Sequence, residues 1–368
     1  MPKKELKKVK TGVITTIYLD NASTAKIDPM VLAEILPFLR DNYGNASSLH
    51  SLGRKSRQAI EHAREQVAKS INAEPNQIFF TSGATEGNNW IISNFNHVLC
   101  SKVEHHSILN NPKCTAISFE SLPKTIYKQR PDLVTHIFVN NETGQIYNIK
   151  EIAVICNKMK VPFHTDATQA FGHIPIDVKE LNIDSLVLSG HKFHAPKSIG
   201  ILYLKEPDKY KPMLYGGSQE HNLRAGTENV AGIVGIGKAC ELYNYSPERE
   251  KRCKEIQNQF FNAFSSMKDI HFNTDINKSI SSTLNVAFKG VESESLMIVL
   301  DKNDICVSSG SACDSKSHKP SHVLEAIGCP KEYIHNSIRL SWDSSLSNEE
   351  VNYVIEIIKK NVQAIRGY

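Results

Sequence analysis

The sequence predicts an α/β protein: a mostly parallel sheet clothed by helices in a large domain, followed by a smaller α+β domain. Three observations lead there. Short apolar runs alternate with helical patterns through the first two thirds of the chain, as in parallel sheets buried on both faces. After about residue 245 the alternation gives way to a long charged helix and a mixed set of strands and helices. The length of 368 residues, with 40% hydrophobic and 22% charged residues, suffices for two buried cores.

Strands are expected at 77–81, 135–139, 161–165, 185–189 and 199–204, where Val, Ile and Phe cluster. Helices are expected at 54–71, where Ile60, Ala63, Val67 and Ile71 share a face, and at 149–159 and 228–243. Beyond residue 245 the reading is a helix over 247–267, a strand over 283–288, a helix over 293–301 and a strand over 336–342. A final helix opens with Ser347 and Glu350 at capping-box spacing.

A net charge of +4 without a basic stripe excludes direct nucleic-acid binding. No apolar run reaches the roughly 18–20 residues of a membrane span, and the lysines near the start precede no apolar leader segment. A cytoplasmic protein is expected. The eight cysteines include no CxxC pair, which argues against structural zinc and a disulfide framework, and no metal is expected.

Four segments carry chemistry. Thr81-Ser82-Gly83-Ala84-Thr85-Glu86-Gly87 lies between a strand and a helix start, where a phosphate fits, although a plain tight turn reads the same. Asp166 ends an apolar strand and suits either a protonated pyridine nitrogen or a helix cap. Lys192, in Ser189-Gly190-His191-Lys192, follows another strand. A desolvated lysine there can form a Schiff base, and an exposed loop lysine is the plain alternative. Cys313 sits in a Gly/Ser-rich stretch with Lys316, His318 and Lys319, which favour a thiolate, while Asp314 works against it.

These segments occur in order with Tyr18-Leu19-Asp20-Asn21-Ala22-Ser23-Thr24, Asn140-Asn141-Glu142-Thr143-Gly144 and Gly216-Gly217-Ser218-Gln219-Glu220. Together they closely resemble the cysteine desulfurases of the NifS/IscS type, within the class V aminotransferase superfamily. The resemblance covers nearly the whole chain from Tyr18. It implies the fold type I of the transferases that depend on pyridoxal 5'-phosphate (PLP), with a seven-stranded sheet. Residues 29–245 would form the large cofactor-binding domain, and residues 1–28 and 246–368 the small domain carrying the catalytic-cysteine loop.

Roles follow from the resemblance, residue by residue. Lys192 matches the Schiff-base lysine, and Ala84 and Thr85 the phosphate turn. Ser189 and His191 match further phosphate contacts, Asp166 the partner of the pyridine nitrogen, and Gln169 the contact to the ring hydroxyl. His105 matches the acid/base histidine stacked on the ring, Asn141 a residue beside ring and substrate, and Arg339 the clamp on the substrate carboxylate. Thr227 matches a phosphate contact donated by the second subunit of a homodimer. Cys313 matches the cysteine that takes sulfur from L-cysteine, leaving L-alanine, and passes the persulfide to a sulfur acceptor or iron–sulfur scaffold protein, for iron–sulfur cluster assembly or tRNA thiolation. Trp342-Asp343 stands where the family carries Gly-Arg, a change expected at the rim of the site. The alternatives on this fold are a selenocysteine lyase or a class V aminotransferase, and Cys313 is the residue that transamination does not need.

Overall fold

The computed structural model describes residues 16–309 and 320–367. Its first half runs β1 (Ile17–Tyr18), α1 (Pro29–Arg40), α2 (Ser51–Ser70), β2 (Ile78–Thr81), α3 (Ala84–Ser93), β3 (Val98–Ser101), α4 (His106–Leu109), β4 (Cys114–Ile117), α5 (Leu122–Gln129) and β5 (Leu133–Thr135). It continues through α6 (Ile149–Met159), β6 (Phe163–Asp166), α7 (Val178–Leu181), β7 (Ser185–Ser189), β8 (Gly200–Leu204) and α8 (Val230–Tyr243). The remainder comprises α9 (Pro247–Ser265), β9 (Ile270–Phe272), β10 (Thr283–Phe288), α10 (Ser293–Asp301), β11 (Ile305–Cys306), β12 (Ser308–Ser309), α11 (His322–Ala326), α12 (Lys331–Ile334), β13 (Ser337–Ser341) and α13 (Asn348–Arg366).

Seven strands form one sheet in the order β2-β8-β7-β6-β5-β3-β4. It is mostly parallel, as expected; β8 alone runs against its neighbours β2 and β7. Period-two alternation buries both faces. Phe80, Leu186, Leu188 and Ile201 point into a core shared with α2, α6 and α8, while Phe79, Val187 and Leu202 join Trp90 and Ile91 of α3 on the other side. Four antiparallel strands in the order β12-β13-β10-β9 form a second layer. Its core sets Leu284, Val286, Ile338 and Leu340 against Phe260 and Phe264 of α9 and Val351, Val354, Ile358 and Val362 of α13. The capping box is present: Ser347 Oγ accepts from the Glu350 amide at 3.2 Å, and the Ser347 amide donates to Glu350 Oε2 at 2.9 Å.

Some expectations need correction. The strand expected at 135–139 begins at Leu133, and beyond Thr135 the chain still follows β6 through His136 N–H to His164 O and Phe138 N–H to Asp166 O. The four-residue strands β3 and β4 were not expected. Trp342 is no rim residue: it is 1% exposed, with its ring 5.3 Å from that of Phe260 in the second core. No helix among the described residues is long and apolar enough to cross a membrane.

Candidate functional site

A cavity of about 660 Å³ opens where the carboxyl ends of β6 and β7 meet the second layer. Open α/β sheets present ligands at this edge, because loops there carry side chains from several strands to one place. Asp166 is the last residue of β6 and Ser189 the last of β7. Ala84, Thr85, His105, Asn141, Gln169, His191, Lys192 and Arg339 line the same cavity with them. Ten of the twelve residues singled out in the sequence are therefore neighbours. Thr227 is exposed and does not line the cavity within its own chain. Cys313 lies outside the described residues.

One wall is the start of α3. Gly83 precedes the helix, and the N–H groups of a first helical turn have no partner within the helix. Ala84 and Thr85 begin this helix, which presents its positive dipole end to the cavity.

The floor is Asp166, 4% exposed, whose Oδ2 accepts from Asn88 Nδ2 at 2.9 Å and whose Oδ1 accepts from the Thr168 amide at 3.0 Å. Glu104 lies beneath, fully buried. Burial first, and the nearby Asp166 charge second, raise its carboxyl well above the usual range.

The opposite wall is Lys192, on a short 3-10 turn after β7. Its Nζ donates to Ala22 O and Ser23 O, both at 2.7 Å. Gln169 Nε2 donates to the same Ala22 carbonyl at 2.8 Å. Next to Lys192, burial and then the Lys192 and Lys197 charges push His191 down to about 4, and its buried Nδ1 has no hydrogen-bond partner among the described residues.

The second layer contributes Arg339 from β13. Its Nη1 donates to Asn141 O at 2.7 Å, and its Nη2 donates to Asp20 Oδ1 at 2.9 Å and Ser23 Oγ at 2.6 Å. Arg339 Nε is buried and has no hydrogen-bond partner among the described residues. Asn141 is held by the turn that Asn140 builds: Asn140 Oδ1 accepts from the Glu142 and Thr143 amides at 2.9 and 3.0 Å. Gly144 closes the turn at φ +72°, where a Cβ would lie 3.1 Å from Thr283 Cβ.

Sequence reasoning missed the residues that hold these groups in place. Asp20, Ala22 and Ser23 were noted only as part of a motif, yet their contacts fasten Lys192 and Arg339 at once. Asn88 was not singled out, although it lies one turn after Ala84 on α3, a spacing that marks a shared helix face.

The arrangement suits a flat heteroaromatic ring carrying an anionic group. It offers a carboxylate at the floor, a helix N-terminus with His191 and Ser189 beside it, and a primary amine within the same cavity. The unpartnered His191 Nδ1 and Arg339 Nε are polar atoms available to such a ligand and its substrate. Among the described residues no cluster of His, Cys, Asp and Glu could hold a metal ion.

Comparison with known proteins agrees with this geometry. The family model for aminotransferase class-V matches residues 17–354. The cysteine desulfurase IscS of Clostridium botulinum is 40% identical, with 95% of each chain covered. A NifS-like protein superposes with a TM-score of 0.88 at 30% identity, covering 95% of this chain and 100% of that one. SspA in complex with cysteine gives 0.77 at 31% identity, covering 89% and 98%. The chain belongs to the class-V aminotransferase family, within its cysteine desulfurase branch.

Proposed function

We propose that the protein is a PLP-dependent cysteine desulfurase that converts L-cysteine to L-alanine and keeps the sulfur as a persulfide on Cys313 for a protein acceptor. The observation that carries the reading is the convergence of Lys192, Asp166, His105 and Arg339 on one cavity. A relative that binds cysteine supports the substrate. When bound, PLP supplies an electron sink at its protonated ring.

The chain's own residues do the rest. Asp166 holds a ring proton by charge, and its two hydrogen bonds fix the carboxylate in place. Ala84, Thr85, Ser189 and His191, which line the cavity, would hold the phosphate, and Gln169 and Asn141 would border the ring. Lys192 Nζ would hold the cofactor and, when free, would carry a proton. Arg339 would take the substrate carboxylate as a planar fork of Nε–H and Nη2–H, with the carboxylate replacing Asp20 or Ser23 on Nη2. The thiolate of Cys313 attacks the substrate sulfur. The carbon–sulfur bond breaks with its electron pair going to carbon, which takes a proton, and the new sulfur–sulfur bond leaves a persulfide. The apolar row Leu32, Leu36 and Leu39, exposed on α1, supports a homodimer in which Thr227 serves the partner's site.

The test is to load the full-length chain with PLP, add L-cysteine, and measure alanine together with the mass of the Cys313 peptide. Alanine with one added sulfur on Cys313 is expected. Pyruvate, or alanine with an unmodified thiol, would sink the assignment. Arg339→Lys should raise KM for L-cysteine about tenfold with a smaller change in kcat, because a point charge cannot reproduce the bidentate fork.

A further inference from the structure

We propose that Ser107 fixes His105 as the neutral tautomer protonated on Nε2, and that Asn88 fastens this pair to Asp166, so that His105 acts as a hydrogen-bond donor and not as a base. What the ring donates to rests on the function proposed above; the tautomer rests on the chain alone.

The polarity of the network is forced from both ends. A carboxylate only accepts, so the Asn88 group 2.9 Å from Asp166 Oδ2 is its NH2. Asn88 Oδ1 then faces His164 Nε2 at 2.9 Å, which must donate. His164 Nδ1 accepts from Ser185 Oγ at 2.9 Å, and burial lowers this ring to about 4, so it remains neutral. The second Asn88 Nδ2 hydrogen goes to Ser107 Oγ at 2.9 Å. At the other end, the backbone amide of Ser107 can only donate, and it does so to His105 Nδ1 at 3.1 Å. Ser107 Oγ, already accepting from Asn88, lies 2.9 Å from the same nitrogen and turns its own hydrogen onto it. Nδ1 thus meets two donors and carries no proton, so a neutral ring is protonated on Nε2.

This clamp bears on the reaction. Charging His105 means placing a proton on Nδ1 and breaking both contacts. Burial lowers its titration as well; Asp166 opposes that, while Lys192 and His106 add to it. A ring that is neutral and protonated on Nε2 cannot accept a proton there, which leaves Lys192 Nζ as the proton carrier. Asn88 is wholly buried and makes no backbone cap, so its side chain serves this network. Ser107 and Asn88 are positioning residues.

The experiment is long-range proton–nitrogen NMR of the histidine-labelled full-length chain, from about pH 5 to about pH 9, before and after loading with PLP. His105→Gln identifies the signal. The expected spectrum is the Nε2–H tautomer at neutral pH, with titration below the ordinary 6.5. Ser107→Ala removes the Oγ donor and keeps the backbone amide on Nδ1, so it should raise that midpoint by about one pH unit, the scale of one hydrogen bond, while the neutral ring stays Nε2–H. Ser107→Thr should restore the wild-type pattern. An Nδ1–H or charged ring in the wild type at neutral pH would overturn the proposal, as would a Ser107→Ala spectrum identical to the wild type. A chain that fails to bind PLP refutes the enzymatic reading alone, because the tautomer is still read without the cofactor.

Discussion

Replacing Lys192 by alanine is expected to abolish covalent retention of PLP and to lower alanine formation from L-cysteine by about 10³-fold or more. That is the scale of losing a positioned proton carrier. It corresponds to about 4 kcal/mol of transition-state stabilisation. The structural cost is smaller. Lys192 Nζ donates to Ala22 O and Ser23 O, contacts worth together about 2 kcal/mol of stability. The two effects separate experimentally. Lys192→Arg keeps a donor facing those carbonyls, so it should melt near the wild type while remaining as inactive as the alanine variant. Borohydride reduction followed by peptide mapping checks the covalent link. A Lys192→Ala enzyme that turns over at near wild-type rate would remove Lys192 from the chemistry altogether.

Cys313→Ala should have an effect of similar size by a different route. PLP binding, and its spectral response to L-cysteine, should persist, because Asp166, Lys192 and Arg339 are untouched. Sulfide release and alanine formation should fall at least about 10³-fold, as expected on removing a nucleophile. The described residues on either side of the cysteine are favourably placed for this role. Ser308 is paired in register with Arg339, and Ser321 Oγ donates to Glu142 Oε2 at 2.6 Å, next to His322 on the cavity wall. Full sulfide release from the alanine variant would exclude sulfur transfer to Cys313 and favour an elimination on the same site.

Much of this was legible in the sequence, for identifiable reasons. Asp166 and Lys192 each follow an apolar run, and a strand that ends on a reactive side chain delivers it to the edge of a parallel sheet. Ala84 and Thr85 were marked by the small residues around them. The groups that orient the site were harder to see. Asn88 and Ser107 come from two separate helical segments, and each is an ordinary polar residue in its own stretch. Arg64 and Glu220, a buried pair 2.8 Å apart, are 156 positions apart in sequence, beyond the reach of any local pattern. Strand β4 escaped notice because it is an edge strand with Thr115 and Ala116 exposed, which erases the apolar signal. Trp342 was misjudged because position relative to a motif says nothing about which way a side chain turns; it turned into the core.

The short segment around Asp20–Ser23 has a consequence for how such a protein can change. Its carbonyls hold the lysine of one layer, its Asp20 and Ser23 side chains hold the arginine of the other, and its Ala22 amide donates to Ser341 Oγ at 2.9 Å. Three distant stretches of the gene therefore meet at a few atoms. Recombination between diverged relatives, with a crossover anywhere between that segment and β13, would pair a tether from one parent with an anchor from the other. Such a gene could mutate freely at its surfaces and still be inherited, at this point, only as a single block.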